Sequence, residues 1–345
     1  MKHKKPTRLP IPPKVAPQTW QALFEAADEY MEAEPWLNMG DAEAFGVYDA
    51  TLGRSGWGVA LGQIQETFGL AFYQEREGLA KFQEIVTTHG DLFHRDYDFL
   101  ATQNILNFNW VPKNELHPHD VDIIKSVGWP TSGEKRYYQF QSYRPGYLPW
   151  PLDENEARFM LRGLEAGMLM SEKVSVFKTI QPGMMPMWIF EKDDWHLAIV
   201  KPDPWELPPL ERAVLLESAL ARFQKKNIVQ RGTWEAGHFY LPGQVMDMDR
   251  PYHMHVVALV DSESTYAFPP QAMRPTDNEA EVLRKVLVGA LEKESVMPYE
   301  MAFSDLRLMQ AVTPVLDKLG IKAVLKPSLT GLEILKKGMR EHFSK

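Results

Sequence analysis

The chain has 345 residues, of which 44% are hydrophobic, and it contains no cysteine. At roughly 150 residues per domain, this length predicts two domains, each with enough apolar side chains for a core. The absence of cysteine excludes disulfides, thiol nucleophiles and cysteine-ligated zinc or iron–sulfur sites, so His, Asp and Glu are left as metal ligands. Such a composition is typical of a cytosolic protein, and we expect a cytoplasmic location.

The net charge of −8 conceals two basic ends. Residues 1–14 carry five basic residues and no acidic one, residues 317–345 carry seven basic and three acidic residues, and the body between them holds −17. Basic ends can bind nucleic acid, because Lys and Arg neutralise phosphates whatever the base sequence. The alternative is a solubilising tail and an ordinary solvated helix face. We expect residues 1–17 to form a disordered, proline-rich basic tail.

Membrane association is not expected from this sequence. The basic N-terminus continues into a proline-rich segment instead of an apolar one, which is unlike a signal peptide. No run approaches the roughly 18 apolar residues that a membrane-spanning helix needs.

The first predicted domain, residues 18–172, belongs to the α+β class. Apolar residues at helical spacing predict a helix over residues 18–31, and a glycine turn at 53–56 separates two short strands. These glycines do not have the spacing of a phosphate-binding loop. The next elements are a strand over 67–74, a helix over 78–88, a strand over 105–112 and a short helix beginning near Asp120.

A proline-rich turn precedes the last helix of this domain. Asp153 caps that helix and Glu156 completes a capping box, so we expect the domain to end near residue 172. Aromatic rings beside an arginine can stack on bases or hold a partner. The turn therefore provides the candidate binding residues Tyr143, Arg144, Tyr147 and Trp150. The alternative is that these rings pack against the turn itself.

Residues 173–227 join the two predicted domains. They predict two strands, with a hairpin about Lys192, and a helix over residues 210–223. The pattern leaves open which domain contains them.

The second predicted domain, residues 228–345, is an α/β domain with a mixed sheet. Its elements follow the order β-β-β-α-β-α-β-α, since three successive strand patterns precede helices that alternate with strands. Thr276 and Glu279 predict a capping box for the first helix. Gly320 ends the second helix in the C′ position.

This order, with the local sequence, resembles the ribonuclease H-like fold, in particular the catalytic core of integrases and transposases. The resemblance is carried by Trp234 at the start of the first strand and by residues 256–262 in the second strand and its turn. It is also carried by residues 303–305 before a helix and by residues 319–321 after that helix.

The whole chain also resembles a group of uncharacterised bacterial proteins with two domains of unknown function. The shared segments are Pro35-Trp36, Phe45-Gly46, residues 142–147 and Trp234-Glu235. This resemblance implies no assigned activity.

The ribonuclease H-like resemblance implies nuclease chemistry only if its carboxylates are present. Such nucleases hold two divalent ions with three or four acidic side chains, because the ions activate a water and stabilise the leaving oxygen. In the resemblance, the first acid falls at Gly237, which has no ligand atom. The second falls at Asp305, which also fits a helix N-cap, and the third falls in the last helix. The candidate catalytic residues are Asp261, Asp305 and Glu341.

Histidines form a second constellation. His253 and His255 are two residues apart on one strand, so their rings face the same side, and His238 on the preceding strand could lie nearby. Histidine pairs at this spacing bind zinc or other divalent metals. The alternative is two half-exposed histidines at the start of a strand. His117 and His119 lie in a turn that we expect to cap a helix.

These patterns predict a non-catalytic binding or interaction protein with a degenerate ribonuclease H-like domain and no cofactor. One alternative is a divalent-metal-dependent nuclease or phosphodiesterase. Another is nucleic-acid binding through the basic ends. No motif indicates which partner or ligand is bound.

Overall fold

A computed structural model of the chain describes residues 10–88, 97–130, 133, 136–225, 228–294 and 296–343. The chain divides into two compact units. The first comprises Met1–Glu206 and Asp247–Arg250, and the second comprises Leu207–Met246 and Pro251–Lys345. The predicted tail extends over residues 1–17. Residues 1–9 of it lie outside the described residues, and a helix begins at Pro17.

A seven-stranded sheet forms the first unit, in the order β5-β4-β3-β2-β1-β6-β7. Neighbouring strands are antiparallel except β1 and β6, which are parallel, so the sheet is mixed. The strands are β1 Phe45–Asp49, β2 Arg54–Leu61, β3 Gly69–Gln74, β4 Ile105–Pro112, β5 Arg136–Tyr143, β6 Met185–Glu191 and β7 Asp194–Val200.

Apolar residues of the helices pack with residues of the sheet in the cores of the first unit. Numbered in chain order among the described residues, the helices are α1 Pro17–Ala33, α2 Glu75–Thr87, α3 Tyr97–Ala101, α4 Pro118–Ser126, α5 Glu154–Ser171 and α6 Ser175–Thr179. The apolar stripe of α1, which includes Trp20, Leu23 and Phe24, packs with α5 in the main core. Leu79 of α2 belongs to a second apolar cluster with residues of β2 and β3.

The first unit differs from the predicted domain in two respects. Strand β5 was not predicted, because aromatic and polar residues alternate along it without a clear apolar face. The predicted boundary near residue 172 falls too early, since β6 and β7 extend the same sheet and the unit continues to Glu206. The capping box of Asp153 and Glu156 at α5 is confirmed.

The second unit is a mixed α/β structure whose main sheet has the order β11-β10-β9-β13-β14. Strands β9, β13 and β14 are parallel, and β10 is antiparallel to β9 and β11. The strands are β8 Val229–Gln230, β9 Thr233–Val245, β10 Tyr252–Asp261, β11 Gln271–Met273, β12 Val296–Met297, β13 Glu300–Phe303 and β14 Lys322–Leu325. The prediction of a mixed sheet is confirmed, and β8 pairs with β12 outside it.

Four helices of the second unit lie within the described residues: α7 Glu217–Lys225, α8 Glu279–Lys293, α9 Leu306–Leu319 and α10 Thr330–Phe343. Apolar residues of α8 and α9 share one core with one face of the sheet, and Leu332 of α10 packs with residues of the other face.

Three helix boundaries can be compared with the sequence patterns. The N-cap of α8 is Asn278, whose side chain accepts two backbone N–H bonds, and not Thr276. The helix predicted over residues 210–223 begins at Glu217. Gly320 ends α9 with a φ of 70°, as predicted, because glycine enters the left-handed region without a Cβ clash. Among the described residues, no helix combines the length and the apolar character needed to cross a bilayer.

Candidate functional site

Two of the predicted histidines meet on one face of the second unit's sheet. His238 of β9 lies opposite Val257 of β10, and His255 lies two residues earlier on β10 on the same face. Diagonal neighbours at this spacing are within reach of ring side chains. The Nδ1 atom of His238 is 2.9 Å from the Nε2 atom of His255. Tyr240 stacks on His255, with ring centroids 4.1 Å apart.

The starts of two helices bring carboxylates to this histidine pair. Asp305 precedes α9 and is level with His238, since β13 runs parallel to β9 with Ala302 opposite Glu235. Oδ2 of Asp305 lies 3.6 Å from Nε2 of His238. Glu279 is the first residue of α8, and its Oε2 lies 3.5 Å from the same nitrogen. Acidic side chains are stabilised at helix N-termini by the helix dipole.

The pKa values of Asp305 and His255 show which of the two is charged at neutral pH. Burial would raise the pKa of Asp305, but the hydrogen bonds from His238 and from the N–H of Arg307 lower it to about 2. Burial lowers the pKa of His255 to about 2, and His238 adds to that effect. At neutral pH, Asp305 is therefore a carboxylate and His255 is a neutral imidazole.

The two ring nitrogens of His238 have different neighbours. Nδ1 of His238 shares a hydrogen bond with Nε2 of His255, and the tautomers of the two rings decide which nitrogen donates. The Nε2 atom of His238 faces the carboxylates of Asp305 and Glu279, which are acceptors. His238 is therefore held from both of its ring nitrogens.

The same cluster has the composition of a metal site. His238, His255 and Glu279 each offer one ligand atom, and these atoms all lie within 4.8 Å of one another. His253 is not in this group, because the strand register shifts between His253 and Met254. Burial lowers the pKa of His253 to about 4. The structure thus brings together two of the three predicted metal-binding histidines and adds a glutamate.

The three candidate catalytic carboxylates are not brought together. Asp261 pairs with Trp234, four residues along β9 from His238, which corresponds to about 13 Å at the rise of a strand. Its Oδ1 accepts bonds from the backbone N–H and hydroxyl of Ser264 and so organises a turn. Asp305 caps α9 by accepting the N–H of Arg307 at 2.8 Å, and Glu341 is exposed on α10.

Gly237, at the position of the first expected acid, faces the opposite side of the sheet. A Cβ atom there would lie 2.6 Å from Cδ2 of Leu332 in α10. Glu235, two residues earlier on β9, is also buried on this side and accepts the backbone N–H of Leu332 at 2.9 Å. The residues present therefore do not fit a pair of divalent ions, because α10 packs where their first ligand would project.

The candidate binding residues of the first unit take part in local networks. Arg144 donates to Glu156 at 2.8 Å and to Asp153 at 2.6 Å, so its charge is paired. Tyr143 donates to Gln141, and Trp150 forms an isolated bridge with Ser142.

The sequence patterns did not indicate Arg250. Its guanidinium lies over the ring of Tyr147, at 5.6 Å, and donates to the carbonyl groups of Ser142 and Leu148. Burial lowers the pKa of Arg250 to about 10. These contacts agree with the packing alternative for Tyr147.

The basic C-terminal segment is largely matched by acids within the second unit. Four lysines form ion pairs, namely Lys318 with Glu217, Lys322 and Lys326 with Glu300, and Lys336 with Glu333. The local excess of positive charge is therefore smaller than the sequence count suggests.

Among the functional residues, the sequence patterns also missed Glu279. It was assigned to a capping box with Thr276, yet the observed cap at Asn278 makes Glu279 the first residue of α8. A signal was available, because an acid in the first turn of a helix after a strand can face the end of the sheet.

Comparisons with known proteins agree with a chain of two domains, both of unknown function. Residues 20–185 match the family model described as domain of unknown function DUF7309, and residues 219–340 match the model of domain of unknown function DUF6930. A comparison with curated proteins finds no match.

Among solved structures, the chain is similar to the catalytic core domain of BIV integrase, with 10% sequence identity and a TM-score of 0.24. The match covers 31% of this chain and 64% of the integrase chain, so it spans less than two thirds of that chain. It is a distant similarity over part of the chain.

Proposed function

We propose that this protein is a non-catalytic binding protein whose second unit is a degenerate ribonuclease H-like domain. The strand directions support this fold, since three antiparallel strands, β9 to β11, are followed by β13 and β14 parallel to β9. The order of these elements agrees with the order that the resemblance implies.

One observation carries the non-catalytic part of the proposal. Gly237 stands where the first metal-binding acid would be needed, and Leu332 of α10 occupies the space in front of it. A two-ion mechanism needs ions about 3.5–4 Å apart, held by shared carboxylates. Asp261 lies opposite Trp234 and Asp305 is level with His238, four residues or about 13 Å further along β9, so they cannot share such ions.

A nuclease assay tests the proposal. The full chain is incubated with single- and double-stranded DNA and RNA in Mg²⁺, Mn²⁺ or Zn²⁺, beside the variant Asp305→Asn. We expect no cleavage beyond that of the variant. Metal-dependent cleavage that Asp305→Asn abolishes would contradict the proposal and favour the nuclease alternative.

A further inference from the structure

We propose that His238, His255 and Glu279 form a binding site for one divalent transition-metal ion of the zinc type. Zinc takes histidine nitrogens and carboxylate oxygens at about 2.0–2.2 Å in a tetrahedron, which places neighbouring ligand atoms about 3.3 Å apart. The ligand atoms of the three side chains lie within 4.8 Å of one another. Closing this arrangement needs a movement of no more than about 1.5 Å between the most distant pair.

The present contacts are close to those of a metal site. Nδ1 of His238 and Nε2 of His255 are 2.9 Å apart. Glu279 offers one oxygen within 4.8 Å of a ring nitrogen of each histidine. A metal ion would replace the shared proton of the histidine pair, and the rings would separate by a few tenths of an ångström. Glu279 is at the start of a helix with a side chain 19% exposed, so it has room to turn toward the ion.

An unpartnered oxygen is the second, independent observation. Oε2 of Glu279 is buried and forms no hydrogen bond within the part of the chain that the structure describes, although Nε2 of His238 lies 3.5 Å away. Buried carboxylate oxygens are normally paired, because an unpaired one loses its water without compensation. A cation bound by Glu279 and the two histidines would provide the missing partner.

Charge and orientation also favour a cation at this place. With neutral histidines, the carboxylates of Glu279 and Asp305 exceed the guanidinium of Arg307 by one negative charge. Asp305 faces Nε2 of His238 at 3.6 Å and so fixes the orientation of a ligand ring, as carboxylates beside ligand histidines do. We therefore infer that Asp305 is a positioning residue and that a water completes the tetrahedron.

Such an ion would join the start of α8 to β9 and β10. Its ligands come from three elements that are far apart in sequence, and an unfolded chain does not present them together. Binding to the folded state alone raises the free energy of unfolding in proportion to the logarithm of metal concentration. The site would therefore act as a structural clamp, which is compatible with a protein that has no nuclease activity.

Metal titration of the full chain tests the site. Chelator-treated protein is titrated with Co²⁺, followed by the visible absorption of the bound ion, and the Co²⁺ is then displaced with Zn²⁺. We expect one ion per chain, tetrahedral absorption and a higher Tm with Zn²⁺. Glu279→Gln and His255→Gln should each weaken binding by about 100-fold or more, since they remove a ligand, and Asp305→Asn by about 10- to 100-fold with the tetrahedral spectrum retained.

His253→Gln is the matched control, because His253 is a buried histidine of the same strand outside the ligand group. It should bind Co²⁺ as the unaltered chain does. If His255→Gln fails to fold, Glu279→Gln decides the question, since Glu279 is partly exposed. The assignment is wrong if the unaltered chain takes up neither metal, or if Glu279→Gln binds as tightly as the unaltered chain.

Discussion

Introducing a carboxylate at position 237 is the most informative single change in the second unit. The variant Gly237→Asp supplies the acid that the ribonuclease H-like resemblance calls for. The structure predicts that it destabilises the protein and creates no nuclease. A Cβ atom at this position already lies 2.6 Å from Cδ2 of Leu332, and the added carboxylate would be on the same buried face as Glu235.

The expected magnitude has two parts. Overpacking a filled core costs about 1–3 kcal/mol. Burying a carboxylate without a partner costs several kcal/mol more, less what local adjustment recovers, so we expect a total loss of about 3–5 kcal/mol. For a unit of this size, that loss corresponds to a decrease in Tm on the order of 10 °C.

Chemical denaturation and a nuclease assay in Mn²⁺ measure the outcome. Gly237→Ala is the control for the steric part and should lose only about 1 kcal/mol, because the far end of Leu332 can move. Adding Leu332→Ala to Gly237→Asp should be less than additive, since the two positions are in contact. If Gly237→Asp keeps the stability of the unaltered chain and gains Mn²⁺-dependent cleavage, the reasoning is refuted.

Two further predictions concern buried polar groups. Glu235→Ala should lower the free energy of unfolding by about 2–3 kcal/mol, because the N–H of Leu332 loses a charged acceptor, whereas Glu341→Ala on the exposed surface of α10 should change it by less than about 0.5 kcal/mol. Equal losses in denaturant titrations of the two variants would contradict this. Burial lowers the pKa of His119 below 6.5 although Asp120 acts in the opposite direction, so the folded state keeps the ring neutral. Its contribution to stability is complete above about pH 6.5 and is lost as the pH falls, so His119→Gln should lose less stability than the unaltered chain between pH 7.5 and 5.5. An unchanged pH dependence in the variant would show that His119 does not titrate in this way.

Local patterns account for much of the second unit. Strand patterns predicted β9 and β10, and a glycine at position 320 predicted the end of α9. These features depend on residues close in sequence, so they can be recognised without the fold. The pairing of His238 with His255 followed in outline from their places on neighbouring strands.

Other features depended on contacts between distant elements. The packing of Leu332 against Gly237 requires the position of α10 on the sheet, which periodicity does not define. Glu279 reached the histidine pair because α8 begins at Glu279 itself, two residues later than a cap at Thr276 would have placed its start. The turn contacts of Arg250 join residues more than 100 positions apart, and no spacing rule identifies them.

A crystal structure determined with Mn²⁺ and Zn²⁺ soaks, using anomalous scattering to locate the ions, tests the central claim most directly. The account predicts a zinc ion among His238, His255 and Glu279, and no pair of manganese ions beside β9. Two manganese ions about 3.5–4 Å apart, bridged by carboxylates next to Gly237, would contradict it.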